Sequence, residues 1–147
     1  MTDFCVMEFP VPIRFVEIEN SGVHIAVSGF VNGNLANILI DTGASHSVFD
    51  KNRIHLFSDQ TNFENAEKLS KGLGTDSMEG LKFSIKQFIL GDLLLDNYEV
   101  IALDLGHINE SYEQLNLGAI DMVLGGDFLQ KYKASIRYVS AEIWLRI

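Results

Sequence analysis

The sequence has almost no cysteine and lacks the features that define several large classes of protein. Cys5 is the single cysteine, so no disulfide can form within the chain, and no group of histidines and cysteines has the spacing of metal ligands. The apolar stretches are far shorter than the roughly 20 residues that cross a bilayer. Residues 1–15 lack the basic start and the apolar run of a secretory signal. We therefore expect a cytoplasmic protein without a metal, a cofactor or a membrane partner.

Basic residues are also scarce. The chain has 11 lysines and arginines against 20 acidic residues, with a formal net charge of −9 and a pI near 4.7. Nucleic-acid binding takes most of its affinity from contacts between basic side chains and phosphates. An acidic surface repels phosphates, so DNA and RNA are not expected as partners.

The length and composition of the chain are sufficient for one folded domain. The 147 residues are 47% apolar and 21% charged, which is the composition of a globular protein rather than a disordered one. A chain of this length can bury a core but has no room for two substantial lobes. We expect one domain over residues 1–147, with residues 1–14 as an extended N-terminal arm.

Glycine, asparagine and aspartate divide the chain into short strand-like segments. Asn32-Gly33 is the strongest of these turn signals, because a type I′ turn needs positive φ at both central positions. Residues 35–40 form a dense apolar run, typical of a strand that is covered on both faces. The other predicted strands cover residues 15–18, 23–31, 88–90, 98–103, 122–124, 134–137 and 142–145.

Two short helices and one long hairpin complete the predicted elements. Residues 108–117 have a helix-like spacing of apolar side chains. Asp127 is placed to cap a short helix through residue 132, and residues 69–88 are predicted to form a long exposed hairpin. Together these elements predict a mainly β fold that closes, fully or partly, into a barrel.

Asp41 is the residue with the clearest chemical potential. It follows the apolar run of residues 35–40 and precedes Thr42-Gly43-Ala44. A carboxylate held at the end of a buried strand is costly unless it is hydrogen-bonded or functional. Two interpretations follow: an Asx-type turn in which Asp41 satisfies local backbone groups, or a catalytic carboxylate.

Three segments, in a fixed order along the chain, resemble those of a known family. Residues 37–45, Asn-Ile-Leu-Ile-Asp-Thr-Gly-Ala-Ser, resemble the active-site signature of retropepsin-like aspartic proteases. Residues 122–129, Met-Val-Leu-Gly-Gly-Asp-Phe-Leu, resemble the second hallmark of that family, an apolar strand followed by Gly-x-Asp and a helix. Residues 73–80 lie where the family carries its flap. The resemblance implies an all-β fold in the main: a closed acid-protease-type β-barrel of one lobe, with a β-hairpin flap and one or two short helices.

The resemblance also implies an activity and a set of site residues. An aspartic endopeptidase needs two carboxylates that share one proton, and the chain has one Asp-Thr-Gly. A homodimer that places Asp41 of each subunit on a twofold axis is therefore implied, which hydrolyses a polypeptide with an activated water and without a cofactor. Thr42, Gly43 and Ala44 would form the active-site loop and brace the dimer. The implied flap and substrate-binding residues are Gly72, Leu73, Gly74, Thr75 and Asp76, and the structural hallmark is Gly125, Gly126 and Asp127.

Two features depart from the retroviral pattern. Gly126 stands where retroviral enzymes usually carry an arginine, whose salt bridge helps to hold their dimers. Residues 50–68 and 104–121 lengthen the chain, and we expect them to reshape the cleft or its rim. Of the two termini, residues 141–147 are the ones that we expect to pair across the dimer.

Other functions compete with this interpretation. A catalytically inactive retropepsin-like domain that binds peptides or serves assembly would carry the same motifs. Asp121 and Asp127 could join Asp41 as the acid and base of a glycosidase, although a helix cap explains Asp127 better. His46 is interpreted as a partly exposed loop residue, because no serine has the context of a nucleophile elbow. Residues 39–45 also loosely resemble the first phosphate loop of actin-like sugar kinases, whose second lobe cannot fit into 147 residues.

Overall fold

The computed structural model of the protein describes residues 7–60, 63 and 80–147. These residues contain ten β-strands and two α-helices, together with 3₁₀ segments at Glu19–Ser21 and Lys51–Leu56. The strands are β1 (Glu8–Pro12), β2 (Arg14–Ile18), β3 (Gly22–Val31), β4 (Asn34–Ile40), β5 (Val48–Asp50), β6 (Leu81–Leu90), β7 (Leu93–Leu103), β8 (Met122–Leu124), β9 (Ser135–Arg137) and β10 (Glu142–Arg146). The helices are α1 (Gly106–Gln114) and α2 (Gly126–Lys131).

Six of the strands close into a barrel. Their order is β3-β4-β8-β5-β7-β6, and β6 returns to β3 at Phe30 and Val31. Strand β2 pairs with the first half of β3, on the edge that β6 uses further along. The β4–β8 and β5–β7 pairs are parallel, and the other pairs of the ring are antiparallel. The predicted closed β-barrel with few helices is confirmed.

The turn signals of the sequence fix two hairpins of the barrel. Asn32 and Gly33 join β3 to β4 with φ of 50° and 82°, so the predicted type I′ turn is confirmed. Gly91, with φ of 58°, and Asp92 join β6 to β7. These two strands are longer than predicted and pair along one continuous hairpin. Polar residues interrupt the apolar pattern of β7, which is why the sequence predicted a strand only from residue 98. Asn97 within this strand takes φ of 55°.

Both helices are present with shifted boundaries. Helix α1 begins two residues before the predicted start and ends at Gln114, and Asn116 follows with φ of 58°. Helix α2 begins at Gly126, with Gly125 in the N-cap position and no capping side chain. The prediction that Asp127 caps this helix was therefore wrong, because Asp127 lies inside the first turn. Its carboxylate binds a residue of another loop instead, as described below.

The core has two parts on opposite sides of the barrel wall. The large cluster fills the barrel and includes Ile38 and Ile40 of β4. Leu39 points to the other side of the same strand and packs in a smaller cluster with Tyr112 of α1 and Val123 of β8. Residues 38–40 of β4 are thus buried on both faces, as the dense apolar run predicted, whereas Leu35 near the start of the strand is exposed. The second face is covered by α1, so this insertion belongs to the core.

A separate three-stranded sheet is formed by the two ends of the described chain. Strand β10 lies in its centre, between β1 and β9, and both pairings are antiparallel. Both edges of β10 are therefore occupied over residues 142–144. The tail that was expected to pair across a dimer has no free edge in this stretch. None of the helices in the described ranges has the length and apolar character to cross a membrane.

Candidate active site

Two neighbouring strands fix the backbone position of Asp41. Ile40, the last residue of β4, is aligned with Leu124, the last residue of β8. One residue further on, the backbone N–H of Asp41 donates to the Leu124 carbonyl at 3.0 Å. The buried parallel pair β4–β8 therefore fixes the point at which Asp41 emerges from the barrel.

The turn after β4 holds the Asp41 carboxylate at the surface. The Gly43 N–H donates to Asp41 Oδ1 at 2.9 Å, and the Ala44 N–H donates to the Asp41 carbonyl at 3.2 Å. Asp41, Thr42 and Gly43 are all exposed. The bond from Gly43 is that of an Asx turn, so the local interpretation of the motif holds. It occupies only Oδ1, and Oδ2 has no hydrogen-bond partner among the described residues, which leaves that oxygen open to a ligand.

The Gly-Gly-Asp segment holds the same turn from the other side. The Gly126 N–H donates to the Ala44 carbonyl at 2.7 Å, and the Asp127 N–H donates to the Ser45 carbonyl at 3.2 Å. A Cβ atom on Gly125 would lie 2.6 Å from the Ala44 oxygen. The two motifs on which the resemblance depends are therefore brought into direct backbone contact. This close approach requires glycine at position 125.

The exposed Asp127 forms a hydrogen-bonded pair with the buried Ser47 next to the turn. Asp127 Oδ1 accepts bonds from the Ser47 N–H at 2.9 Å, from Ser47 Oγ at 2.7 Å and from the Phe128 N–H at 2.7 Å. Ser47 Oγ in turn accepts the Gly125 N–H at 3.0 Å. Ser47 is 3% exposed, so its N–H and its hydroxyl have no water to replace a lost partner. Ser47 was not singled out from the sequence, because its partners lie almost 80 residues away.

Tyr98 packs beside this pair. Burial in the first place, and then the nearby Asp127 charge, raise the pKa of the Tyr98 hydroxyl to about 12, although a hydrogen bond with Ser47 opposes the shift. The tyrosine is therefore neutral at all physiological pH values. It acts here as a neutral hydrogen-bonding group that closes the apolar side of the pair.

Removing the Asp127 carboxylate should destabilise the fold by about 2 kcal/mol. Asp127→Ala leaves the N–H and the hydroxyl of Ser47 buried without an acceptor, and each such loss costs about 1–3 kcal/mol. Asp127→Asn keeps an oxygen at the same position and should cost less than about 1 kcal/mol. Urea unfolding of both variants and the wild type measures the difference. If Ala and Asn lower the unfolding free energy equally, the shared Oδ1 contacts do not stabilise the turn.

Asp121 and Asp50 lie at the opposite end of their strands from Asp41, and both have structural partners. Asp121 is buried, accepts the Asn37 N–H at 2.8 Å and forms an ion pair with Arg53 at 2.5 Å. Asp50 is also buried and accepts bonds from the N–H of Leu105 at 3.3 Å and from Asn109 Nδ2 at 2.9 Å. Asp121 and Asp127 thus serve the fold, which removes the basis for a glycosidase pair. In the described ranges no three histidine, cysteine or acidic side chains converge to hold a metal ion.

The insertion at residues 104–121 contributes to the smaller apolar cluster on the outer side of the barrel wall. Ile108 of α1 and Leu117 pack against this cluster, as do Ala44 and Val48, and all four are only partly buried. Asn109 fixes this insertion: its Nδ2 donates to the Ile120 carbonyl at 2.9 Å, and its Oδ1 accepts the Ile120 N–H at 2.7 Å. That this segment reshapes the cleft or its rim stays a prediction.

The predicted flap lies almost entirely outside the described residues. Gly72, Leu73, Gly74, Thr75 and Asp76 are not among them, and Gly80 is the one residue of the expected flap segment that is described. Strand β6 begins directly after it, at Leu81. His46 is exposed, as expected for a loop residue.

Sequence comparison identifies the family. The family described as aspartyl protease matches residues 27–128, which is more than two thirds of the chain. The chain belongs to the aspartyl protease family. The matched range begins in β3, includes residues 37–45 of the first motif and residues 122–128 of the second, and ends in α2. A search of curated proteins finds no match.

Structure comparison agrees on a retropepsin-like fold. The crystal structure of a retropepsin-like aspartic protease from Rickettsia conorii is similar with a TM-score of 0.56 and 17% identity, over 96% of this chain and 91% of that one. The retroviral protease-like domain of Ddi1 from Leishmania major is similar with a TM-score of 0.54 and 15% identity, over 78% of this chain and 81% of that domain. At these identities the two structures establish the fold of this aspartyl protease family member.

Proposed function

We propose that the chain is an aspartic endopeptidase whose catalytic dyad consists of Asp41 from each subunit of a homodimer. The observation that carries the proposal is the Asp41 carboxylate itself. It is exposed at the end of a buried strand, rigidly held through Oδ1, and open at Oδ2. Membership of the aspartyl protease family and the retropepsin-like fold support the same reaction class.

The second carboxylate has to come from a second copy. The sequence has one Asp-Thr-Gly, and Asp121 and Asp127 are occupied by structural hydrogen bonds. In a dimer with twofold symmetry, a residue on the axis meets its own copy. Asp41 and Thr42 project from the surface at the end of β4, where such a contact is sterically open. Thr42 would brace the dimer across the axis.

Two carboxylates a few ångströms apart cannot both ionise, so they share one proton. The ionised Asp41 removes a proton from a bound water, which attacks the carbonyl carbon of the peptide bond. The protonated Asp41 of the partner donates its proton to the carbonyl oxygen. Collapse of the tetrahedral intermediate breaks the C–N bond, and the amine leaves with a proton from the dyad. The reaction needs no cofactor.

The surroundings of Asp41 provide surfaces for an extended polypeptide. Ala44 and Val48, which follow Asp41 closely in the chain and are only partly buried, would offer apolar contacts to a substrate side chain. Residues 72–76 would close over the peptide from the opposite side and exclude water. Gly43 and Ala44 would contact the substrate backbone.

A catalytically inactive peptide-binding or assembly domain is the alternative, and a hydrolysis assay separates the two. Unfolded casein is incubated with the protein over a range of pH, at concentrations where sedimentation shows a dimer, with and without pepstatin. The proposal predicts cleavage whose rate per subunit rises with protein concentration. Absence of cleavage by the dimer at every pH would favour the inactive domain.

A further inference from the structure

The C-terminal part of the chain has a charge opposite to that of the whole protein. Residues 131–146 contain Lys131, Lys133, Arg137 and Arg146 against the single acid Glu142, a net charge of +3 in a chain of −9. Such local asymmetry indicates a charged interaction surface. Most of it lies on the β1-β10-β9 sheet, which is separate from the sheet whose strand β4 leads to Asp41.

Arg137 of β9 and Arg146 of β10 share the outer face of this sheet. Phe9, Val11, Ile143 and Leu145 are buried on its inner face, and because side chains alternate along a strand, their neighbours point outward. A groove of about 340 Å³ opens on the outer face. Its lining residues are Glu8, Lys133, Ser135, Arg137, Trp144, Leu145 and Arg146.

The charges of this basic groove are only partly neutralised. Arg146 forms an ion pair with Glu8, its neighbour across the strands. The Arg137 guanidinium lies 4.7 Å from the centre of the Trp144 ring, and in the described part of the chain neither it nor the Lys133 ammonium has an acidic partner. Glu142 lies next to Arg137 in the register but accepts the Trp144 indole N–H at 3.3 Å. The cation–π contact positions Arg137 without neutralising its charge.

The groove also adjoins an open strand. Strand β9 pairs with β10 on one side and is an edge of its sheet as far as the structure is described. The edge of a sheet can accept an additional extended strand, which gains main-chain hydrogen bonds while its side chains provide specificity. Ser135 and Arg137 are exposed on this strand, so a peptide paired with β9 would place alternate side chains beside the basic groove.

We propose that the basic groove binds an extended acidic segment of a polypeptide, which pairs with the free edge of β9 and directs its carboxylates to Lys133 and Arg137. The charge is complementary, and the edge strand favours a peptide over a ligand that has no hydrogen-bonding backbone. Binding does not involve Asp41, so this site is independent of the peptidase proposal.

Trp144 is the only tryptophan of the chain, and it reports on the groove directly. The full chain is titrated with a capped hexapeptide of alternating glutamate and valine, and Trp144 fluorescence is followed. We expect a saturable change that weakens as NaCl is raised from 0.05 to about 1 M, where the Debye length falls to ~3 Å. Lys133→Glu and Arg137→Glu should each raise the Kd about tenfold, because a favourable charge pair becomes a repulsive one.

Matched variants and probes decide the result. Lys86→Glu makes the same charge change on an exposed residue of β6 and should leave the Kd unchanged, as should Asp41→Asn. Lys133→Glu does not touch the Trp144 ring, so its effect stands even if Arg137→Glu alters the tryptophan environment. The proposal fails if the glutamate peptide causes no fluorescence change at millimolar concentration, or if a lysine-valine peptide binds equally well. Tighter binding of an oligothymidylate of the same charge would overturn it in favour of a nucleic-acid site.

Discussion

Asp41→Asn should lower kcat/KM for a peptide substrate by about 10³-fold or more, because the substitution removes both the general base and the general acid of the dyad. Each of these roles typically contributes about 10²–10⁴-fold. The substitution is nearly isosteric, and the amide oxygen of asparagine can still accept the Gly43 N–H that now binds Oδ1 at 2.9 Å. Stability should therefore change by less than about 0.5 kcal/mol.

A quenched-fluorescence peptide derived from a casein cleavage site measures this effect. Asp92→Asn is the matched control, since it removes the same charge from an exposed turn between β6 and β7 and should retain full activity. Thermal unfolding of both variants verifies that the fold is intact. Retention of a tenth or more of the wild-type kcat/KM by Asp41→Asn would show that another group performs the chemistry.

Gly125→Ala should disrupt the site through packing alone. The new methyl group would lie 2.6 Å from the Ala44 carbonyl oxygen and 2.9 Å from that of His46. Both contacts are with backbone, so the turn that follows Asp41 has to move. Overpacking of this kind costs about 1–3 kcal/mol, and a displacement of a catalytic group by about 1 Å costs about 10²-fold in rate. We expect a loss of about 2 kcal/mol in unfolding free energy and of about 10²-fold in kcat.

Gly126→Ala provides the matched control for this prediction. A Cβ atom on Gly126 would lie 3.5 Å from the Ala44 oxygen, an ordinary contact, and position 126 is the first residue of α2. Alanine is favoured over glycine within helices, so this variant should be as stable as the wild type or slightly more so. Urea unfolding and peptide hydrolysis test the pair. Equal effects at both positions would mean that the close approach at Gly125 does not fix the turn.

Local signals in the sequence predicted much of the barrel and the identity of the central residue. The Asn32-Gly33 turn depends on the φ preferences of two adjacent residues, and β4 depends on a dense apolar run, so both could be predicted without knowledge of the fold. The family resemblance depended on the order of the two motifs along the chain, and it is the structure that shows the backbone contact between the Asp41 turn and the Gly125-Gly126 segment.

Interactions between distant polar residues could not be predicted. Ser47 binds Asp127, and Arg53 binds Asp121 across 68 positions of the chain. Neither pair has a local pattern, because a hydrogen bond between side chains depends on how the strands are arranged in space. For the same reason Asp127 was assigned to a helix cap, the local role of an aspartate that follows two glycines. Its actual partner lies on the loop before β5.

The absence of the retroviral arginine at Gly126 has a structural counterpart. Residues 142–144 of β10 are enclosed between β1 and β9 of the same chain, so this stretch cannot provide a terminal strand to a partner. A dimer of this protein would therefore depend more on the exposed turn at Asp41 and Thr42. A dimer contact limited to this turn would be small and would favour a weak association, so we expect activity to fall on dilution.

Subunit mixing tests the shared dyad most directly. Wild-type protein is combined with a tenfold excess of Asp41→Asn at a total concentration where the protein is fully dimeric, and peptide hydrolysis per wild-type subunit is compared with that of wild type alone. Random exchange leaves about one eleventh of the wild-type subunits with a wild-type partner. If each active site needs Asp41 from both chains, activity per wild-type subunit falls to about a tenth. Unchanged activity after complete exchange would show that one Asp41 is sufficient and would contradict the dimeric dyad.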